Sequence, residues 1–333
     1  MNTAVVILNF NGRKWLEEFL PSVIANSDDT VIYVIDNASS DDSVLFLRDN
    51  FPQINIVVNE ENYWFARGYN EGLKKITADY YILLNSDVEV TKNWITPVIQ
   101  LLESDEKIVA AQPKILAYNN KEYFEHAGAG GGMIDKNGYP FCRGRIFDHV
   151  EKDEGQYDDN AEIFWASGAC LFLKAKSFHE FGGFDESYLA HMEEIDLCWR
   201  IKNSGGKIMY CGSSSVYHVG GGTLNYINPK KTYLNFRNSL FTLYKNLDKG
   251  LLIKIITRLF LDGIAGIKFL FSGKIRHIGS ILKAHFHFYK NIPQLNKKRK
   301  QMVYKSFTEM EGMYSRNIVW RHFGRKKKTF KDL

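Results

Sequence analysis

The stretch YYILLNSDVEV, residues 80–90, runs from an apolar segment with the length and composition of a buried strand into a short acidic turn, Asn85-Ser86-Asp87, before β-branched residues resume. A carboxylate at the end of a buried strand is costly unless it is employed. The usual employment is to hold a divalent cation against a diphosphate, because hard cations take oxygen ligands and bridge phosphates through one or two carboxylates. The same tripeptide is also turn and helix-capping chemistry, and Lys92-Asn93-Trp94 looks like the start of a helix.

Working outward, strand-like runs at 4–8, 31–35 and 54–58 alternate with helical spacing at 15–25, 43–49 and 66–76. That alternation predicts an α/β fold with a mostly parallel central sheet and helices on both faces. In such sheets ligands bind at the carboxyl ends of the strands. Three of those ends carry polar, turning sequences: Asn9-Phe10-Asn11-Gly12, Asp36-Asn37-Ala38-Ser39-Ser40-Asp41 and Asn85-Ser86-Asp87. Each is ordinary loop chemistry by itself; together they converge on one edge. From about 111 to 224 the pattern changes to shorter strands, Gly-rich turns and an acidic loop near 151–159.

In HMEEIDLCWRIKNSGG, Met192, Ile195, Cys198 and Trp199 fit one helical face, which places Glu193, Glu194 and Asp196 in the first turn. Acids there complement the helix dipole. Three within four residues exceed what capping needs and mark a candidate catalytic carboxylate. His218 follows a strand-like Val216-Tyr217 and precedes Gly220-Gly221-Gly222. A lone histidine is commonly structural, but glycines beside it allow backbone to approach a ligand closely.

The chain has 333 residues, 45% of them hydrophobic, enough for one large domain or two modest ones. Its four cysteines have neither C-x-x-C spacing nor the density of a disulfide scaffold, which predicts reduced thiols in a cytosolic setting. The opening MNTAVVILNFNG carries no basic leader and reads as a first strand. The net charge of +5 hides a division. Residues 1–224 hold 19 Lys+Arg against 33 Asp+Glu, or −14, and residues 225–333 hold 24 against 5, or +19. An acidic body with a basic tail points to a polyanionic partner for the tail.

In order along the chain, VVILNFNG, VIDNASSDDS, NEENYWFARGYNEGL, YYILLNSDVEV, WASGACLFLKAKSFHEFGGFDE, HMEEIDLCWR, VYHVGGGT and NFRNSL resemble an inverting family 2 glycosyltransferase of the GT-A type, especially the rhamnosyltransferase-like branch that builds bacterial surface polysaccharides. The resemblance covers residues 1 to about 245. It implies a nucleotide-sugar-binding half at 1–110 and an acceptor-binding and catalytic half at 111–245 of the same domain; beyond it, 246–333 reads from its own pattern as a basic amphipathic helical tail. It also implies a nucleotide diphosphate sugar as donor, a saccharide or lipid-linked saccharide as acceptor, and Mg²⁺ or Mn²⁺ as cofactor. Carried over residue by residue, it makes Asp87 a metal ligand with His218 as the second. Glu194 becomes the general base, with Asp196 as its helix companion. Asn9 and Asn11 line the nucleotide pocket, Asp36 reads the base, and Asn37, Asn62, Arg67, Asn70, Asn85 and Trp165 bind substrate. The sequence departs from the family pattern in three places. Glu194 stands where Asp is usual, Asn85 replaces the first acid of D-x-D, and Trp64 replaces a small residue.

Residues 251–273 are long enough for a bilayer span, but Lys254, Arg258 and Asp262 form an i+4 polar stripe, and Lys268 adds a further charge. Charges near a bilayer centre cost about 2.5–3.5 kcal/mol each, more than the apolar residues return. The expectation is an amphipathic helix laying an apolar face, with Ile255, Leu259, Ile267 and Leu270, on a membrane or on the protein's own body. The basic clusters at 297–300 and 325–328 suit anionic lipid head groups, and read equally as solvated runs or nucleic-acid contacts. With a lipid-linked acceptor implied, the reading adopted is a cytoplasmic protein attached peripherally to the inner face of the membrane, with no nucleic acid partner. Two other classes fit less well. A sugar-phosphate nucleotidyltransferase needs a longer, glycine-rich first loop than NFNGRK, and a nucleic-acid-binding protein would rest on the tail alone. No residue pattern specifies an oligomeric state.

Overall fold

The structure, a computed structural model, describes residues 2–220 and 228–333; Gly221 and Gly222 of the glycine run beside His218 lie outside the described residues. In the first half, β1 (Thr3–Asn9), α1 (Arg13–Asn26), β2 (Val31–Asp36), α2 (Ser43–Asn50), β3 (Asn55–Val58), α3 (Trp64–Leu73) and β4 (Tyr80–Asn85) follow the expected alternation to within a few residues. They line up as β3-β2-β1-β4, all parallel. Because β1 and β4 are buried on both faces, their sequences are continuous apolar runs and not alternating ones. Asn9 is in register with Asp36, and Leu8 with Asn85. The three polar strand ends therefore lie side by side.

The chain continues through β5 (Val88–Val90), α4 (Thr96–Glu103), β6 (Ile108–Ala117), β7 (Asn120–Phe124), β8 (Gly132–Asp135), β9 (Pro140–Cys142), β10 (Arg145–Ile146), β11 (His149–Val150), β12 (Asn160–Ile163), β13 (Cys170–Lys174), α5 (Ala175–Glu180), α6 (Glu193–Asn203) and β14 (Lys207–His218). Strand β13 runs antiparallel between β4 and β6, and β14 lies parallel to β6 on its other side, which extends the sheet to ten strands. At ten and twelve residues, β6 and β14 are longer than the short strands expected of this half.

Helices α7 (Pro229–Asn246), α8 (Leu251–Phe271) and α9 (Ile275–Arg299) follow, and β15 (Met313–Tyr314) then pairs with β8 in a second, five-stranded sheet. Residues 246–333 thus pack on the body, an alternative the sequence left open. Phe307 stacks on Trp199 of α6 at 4.7 Å, Arg299 Nη1 donates to the Tyr244 carbonyl at 2.8 Å, and the Ile318 amide donates to Asp135 Oδ2 at 2.9 Å. Lys298, in the first basic cluster, pairs with Asp185. That cluster is partly structural.

A second difference concerns the orientation of α8. Its polar stripe faces the protein: Arg258 (2% exposed) donates to the carbonyls of Asn137 at 3.2 Å and Gly138 at 3.0 Å and covers the Tyr139 ring, while Asp262 (1% exposed) meets His285 Nε2 at 3.1 Å. Ile255 is buried beside them, while Ile267 and Leu270, read from the sequence as facing either a membrane or the body, are exposed and do not pack on the body. Buried charge requires partners, and the β8–β9 turn supplies carbonyls that no apolar side chain could satisfy.

Phe307→Ala is expected to lower the unfolding free energy by about 3–5 kcal/mol, in one cooperative transition. Denaturant melts followed by tryptophan fluorescence and far-UV dichroism measure both; two separate transitions would show that the C-terminal region folds independently.

Candidate active site

The carboxyl edge of β1 and β2 is a hydrogen-bonded floor. Asn9 Nδ2 donates to Asp36 Oδ1 at 2.9 Å, and Asp36 also accepts from the Ser39 amide at 2.9 Å and the Ser39 hydroxyl at 2.6 Å. Three of about four lone-pair directions are filled, which leaves one for a ligand donor. Asn11, in the left-handed region at φ 49°, turns its carboxamide oxygen to the amides of Ser40 (2.7 Å) and Asp41 (3.2 Å). Gly12 is required here: a Cβ would lie 2.4 Å from Asn9 Oδ1, an atom otherwise buried without a partner among the described residues.

Asn37 ties this floor to α3. It accepts from Asn59 Nδ2 at 3.0 Å and donates to Asn62 Oδ1 at 3.1 Å and the Trp64 carbonyl at 2.9 Å. Asn62 thereby shapes the loop that carries Trp64. Arg67 is exposed, stacks on the Tyr63 ring at 3.9 Å and lies near Glu61 and Glu186. Asn70 is scaffold, with both ends of its carboxamide on the backbone of Phe184 (2.8 and 2.9 Å). Trp165 is scaffold as well: it is buried, and its indole donates to the Met133 carbonyl at 2.9 Å, joining the two sheets.

Past β4 the chain turns through Ser86-Asp87 into β5, which pairs antiparallel with β14 so that Val88 opposes His218. This register brings together Asp87 and His218, 131 residues apart. Asp87 Oδ1 lies 3.2 Å from His218 Nε2, and Asn85 Nδ2 lies 3.4 Å from the same nitrogen. Behind the ring, Glu125 Oε2 is 3.3 Å from Nδ1, in charge contact but off the line of a hydrogen bond. Burial alone would lower the His218 pKa; Glu125 and Asp87 outweigh it and raise it to about 10. Both carboxylates thus draw positive charge to this corner.

The donor set fits a divalent cation. Ligands on adjacent octahedral corners at about 2.1 Å each stand about 3 Å apart, near the Asp87–His218 spacing, and a carboxylate behind the far ring nitrogen is the usual outer partner of a ligating histidine. Among the described residues no group of three or more His, Cys, Asp or Glu side chains is placed to hold a metal ion, and Glu125 lies behind the ring, so this chain offers two ligands, Asp87 and His218. Glu125 was not apparent in the sequence, because a single acid after a strand carries no spacing signal.

The acid-rich helix α6 is entered through a strained loop: Leu189, His191 and Met192 all have positive φ, at 65°, 68° and 75°. The loop is pinned from α7. Asn238 Nδ2 donates to the carbonyls of Tyr188 (3.0 Å), Ala190 (2.9 Å) and His191 (2.7 Å), and Arg237 Nη2 donates to those of Ser187 and Tyr188 (2.9 Å each). The NFRNSL segment is therefore the clamp of the acid helix. From the other side, the Leu189 carbonyl accepts from the Phe65 amide at 3.0 Å, joining the loop to the start of α3.

The three acids of α6 meet different surroundings. Asp196 is fully buried and bonded to Arg200 Nε (3.0 Å), Lys245 Nζ (2.8 Å), Asn246 Nδ2 (2.8 Å) and the Tyr188 hydroxyl (3.2 Å). Burial would raise its pKa, but Lys245 and Arg200 hold it below the ordinary range. Glu193 is buried with Oε2 unpartnered, and burial together with Glu194 raises it well above a normal carboxyl. Glu194 is half-buried, also has Oε2 unpartnered, and is pushed up to about 7 by burial. The Ser167-Gly168-Ala169 turn links it to the Asp87–His218 corner. A Cβ on Gly168 would lie 3.3 Å from the Phe65 ring and 4.0 Å from Glu194 Cβ, while the Ala169 carbonyl accepts from the Asn85 amide at 3.0 Å.

Residues 4–181, more than half of the chain, match the sequence model of Glycosyl transferase family 2. The chain belongs to this family. An N-acetylglucosaminyl-diphospho-decaprenol L-rhamnosyltransferase of Mycobacterium tuberculosis is 24% identical over 230 residues, covering 64% of this chain and 75% of the relative. The low-salt glycan biosynthesis hexosyltransferase Agl10 of Haloferax volcanii is 21% identical over 303 residues, covering 86% and 91%. Among solved structures, GalNAc-T7 with UDP, GalNAc and Mn²⁺ superposes with a TM-score of 0.63 at 18% identity, over 92% of this chain and 55% of that one. The Pyrobaculum calidifontis mannosyltransferase PcManGT, in complex with GDP-Man and Mn²⁺, gives 0.54 at 12% identity, over 87% and 88%. The fold of this family 2 member is accordingly GT-A-like, as the rhamnosyltransferase-like resemblance implied.

Asn238→Ala should leave nucleotide diphosphate binding intact while lowering sugar transfer by about 10²-fold, because it frees the loop that aims Glu194. Thermal shift with nucleotide and initial rates of transfer measure the two; an equal loss in both would make Asn238 a general stability residue.

Proposed function

We propose that the protein is a metal-dependent, inverting glycosyltransferase that moves a hexosyl group from a nucleotide diphosphate donor to a saccharide or lipid-linked saccharide acceptor in bacterial surface polysaccharide synthesis. Rhamnose is the first sugar to test, since two rhamnosyltransferases are among the relatives, including Escherichia coli WbbL, 29% identical over 65 residues. The observation that carries the reading is the meeting, across the Gly168 turn, of a carboxylate–imidazole corner and a half-buried carboxyl of raised pKa. Peripheral attachment at the inner face of the membrane belongs to the same proposal; no helix among the described residues is long and apolar enough to cross one.

Asp36 and Asn9 hold the base end of the donor, and the Asn37–Asn62 network sets the loop over the sugar. Asp87 and His218 would hold Mg²⁺ or Mn²⁺, with Glu125 orienting the imidazole through Nδ1. The ion's chemistry is to offset charge on the departing diphosphate, which the acidic body cannot do itself. Glu194 takes the proton of the acceptor hydroxyl as the hydroxyl oxygen attacks the anomeric carbon from the face opposite the leaving group, which inverts the configuration. Its pKa near 7 matches the operating pH, where a base combines adequate strength with a sizeable ionised fraction. Asp196, spent on Lys245 and Arg200, positions the helix and moves no proton.

Glu194→Gln should retain stabilisation by UDP, dTDP or GDP with Mn²⁺ and lose about 10²–10⁴-fold in transfer. Near-normal turnover would move the base to another residue. Because Glu194 must be ionised to act, the wild-type rate should rise with pH through about 7 and level off above it; a profile flat across that window contradicts the assignment. Asp87→Ala, and equally EDTA treatment, should abolish the nucleotide-dependent thermal shift. Full transfer by metal-free enzyme rules out the ion's role.

A further inference from the structure

We propose that the outward apolar face of the α8–α9 hairpin is a membrane-interface platform that docks the protein on an anionic bilayer, next to the first turn of α7 that reaches the Trp64 loop. The first ground is the orientation already described: Arg258 and Asp262 of α8 point into the protein, so the apolar residues on the opposite face have no protein to cover them. Leu252, Ile256, Phe260, Ile264, Ile267 and Phe271 are exposed along one helical stripe, Phe260 at 69% and Phe271 at 87%. Helix α9 repeats the arrangement. Its inner stripe, Ile281, Ala284 and Phe288, is buried, while Ile275, Leu282, Phe286 and Tyr289 are exposed at the same i+3/i+4 spacing. Large apolar faces are rarely left to water on a monomeric protein.

Charge decides between occupants. Between residues 251 and 300 the sequence has a single acid, Asp262, and it is buried against His285, whereas Lys268, Lys274, Arg276 and Lys283 are exposed around the hairpin. A symmetric contact with a second copy would set these like charges against one another. Anionic head groups would neutralise them while the acyl boundary takes the apolar side chains, the arrangement of an interfacial amphipathic helix. The depth is that of one leaflet's surface, since neither helix qualifies as a span.

Position links the face to the chemistry. Near the hairpin turn, His277 Nδ1 lies 2.8 Å from the Thr232 hydroxyl, and Thr232 is in the first turn of α7; its neighbour Lys230 stands 4.0 Å over the ring of Trp64 at the donor loop. A bilayer touching Phe271 and Ile275 is therefore linked, through the first turn of α7, to the loop that carries Trp64. Resting on the transfer reading, this selects a lipid-linked saccharide, whose lipid stays in the leaflet while its sugar reaches Glu194, over a free one.

Flotation of the full chain with vesicles of equal parts phosphatidylglycerol and phosphatidylcholine tests the platform. The wild type is expected to float, less in high salt but not to zero. Phe260→Glu/Ile267→Glu and Leu282→Glu/Phe286→Glu should each cut the bound fraction by about tenfold or more. Both should keep the wild-type thermal shift with nucleotide diphosphate and Mn²⁺, because the substituted side chains are exposed and remote from the site. Undiminished flotation of both variants overturns the proposal. So does a wild type that ignores these vesicles and elutes as a dimer that the substitutions dissociate. If flotation behaves as expected and no nucleotide diphosphate binds, the platform stands and the transfer reading fails.

Discussion

Lys245, buried near the end of α7, is held between Asp196 in the first turn of α6 and Asp185 in the segment before it. Removing one member of such a set leaves a buried charge uncompensated, at a cost of about 3–5 kcal/mol, so the three groups fix one another's positions. The rest of the site inherits that constraint. With α6 fastened to α7 through Asp196, Asn238 and Arg237 three turns or less upstream on α7 reach the strained loop before α6 and hold it in its left-handed course. Asp185 also takes Lys298 from α9, so the same cluster carries the C-terminal helices onto the body.

The constraint also separates three neighbouring acids by function. Asp196 absorbs the cations, leaving Glu193 and Glu194 with burial and no counter-charge, and their pKa values move up where that of Asp196 moves down. Environments that drive neighbouring carboxyls apart let one helix turn hold an ionised anchor beside carboxyls that keep their protons to higher pH. Burial then distinguishes the remaining two: Glu193 is buried as a whole, and Glu194, beside Gly168, is partly exposed although its Oε2 is not. A glutamate in place of the usual aspartate gives one more methylene of reach from that position.

The first half of the fold, β1 to β4, was legible in the sequence because its information is local: apolar runs of strand length and helical spacing alternate at short range, and polar residues follow each parallel strand. The pairing of Asp87 with His218 was available only by resemblance, since it is made by the register of β5 on β14 across 131 residues, and nothing in the spacing of either segment states that register. Glu125 escaped notice for the same reason. Motif membership, in turn, did not distinguish contact from scaffold. Asn70 and Trp165 lie in segments that carry the resemblance, yet their polar atoms are used by the backbones of Phe184 and Met133.

The C-terminal region shows what periodicity leaves out. The i+4 stripe of Lys254, Arg258 and Asp262 establishes that α8 has two faces, but not which one the protein keeps. Hydrophobicity alone assigns the apolar face to the interior. Here the decision lies with the partners: Asn137, Gly138 and Tyr139 on the β8–β9 turn, and His285 on α9, offer carbonyls, a ring face and an imidazole that only charged side chains can use. Buried ion pairs contribute little net stability compared with apolar packing, so this choice does not maximise stability of the chain in water. Its effect is to fix which way the helix faces, since rotating α8 to bury Phe260 and Ile267 would leave Arg258 and Asp262 without their partners. An interior that demands charge thereby compels an exterior that is apolar.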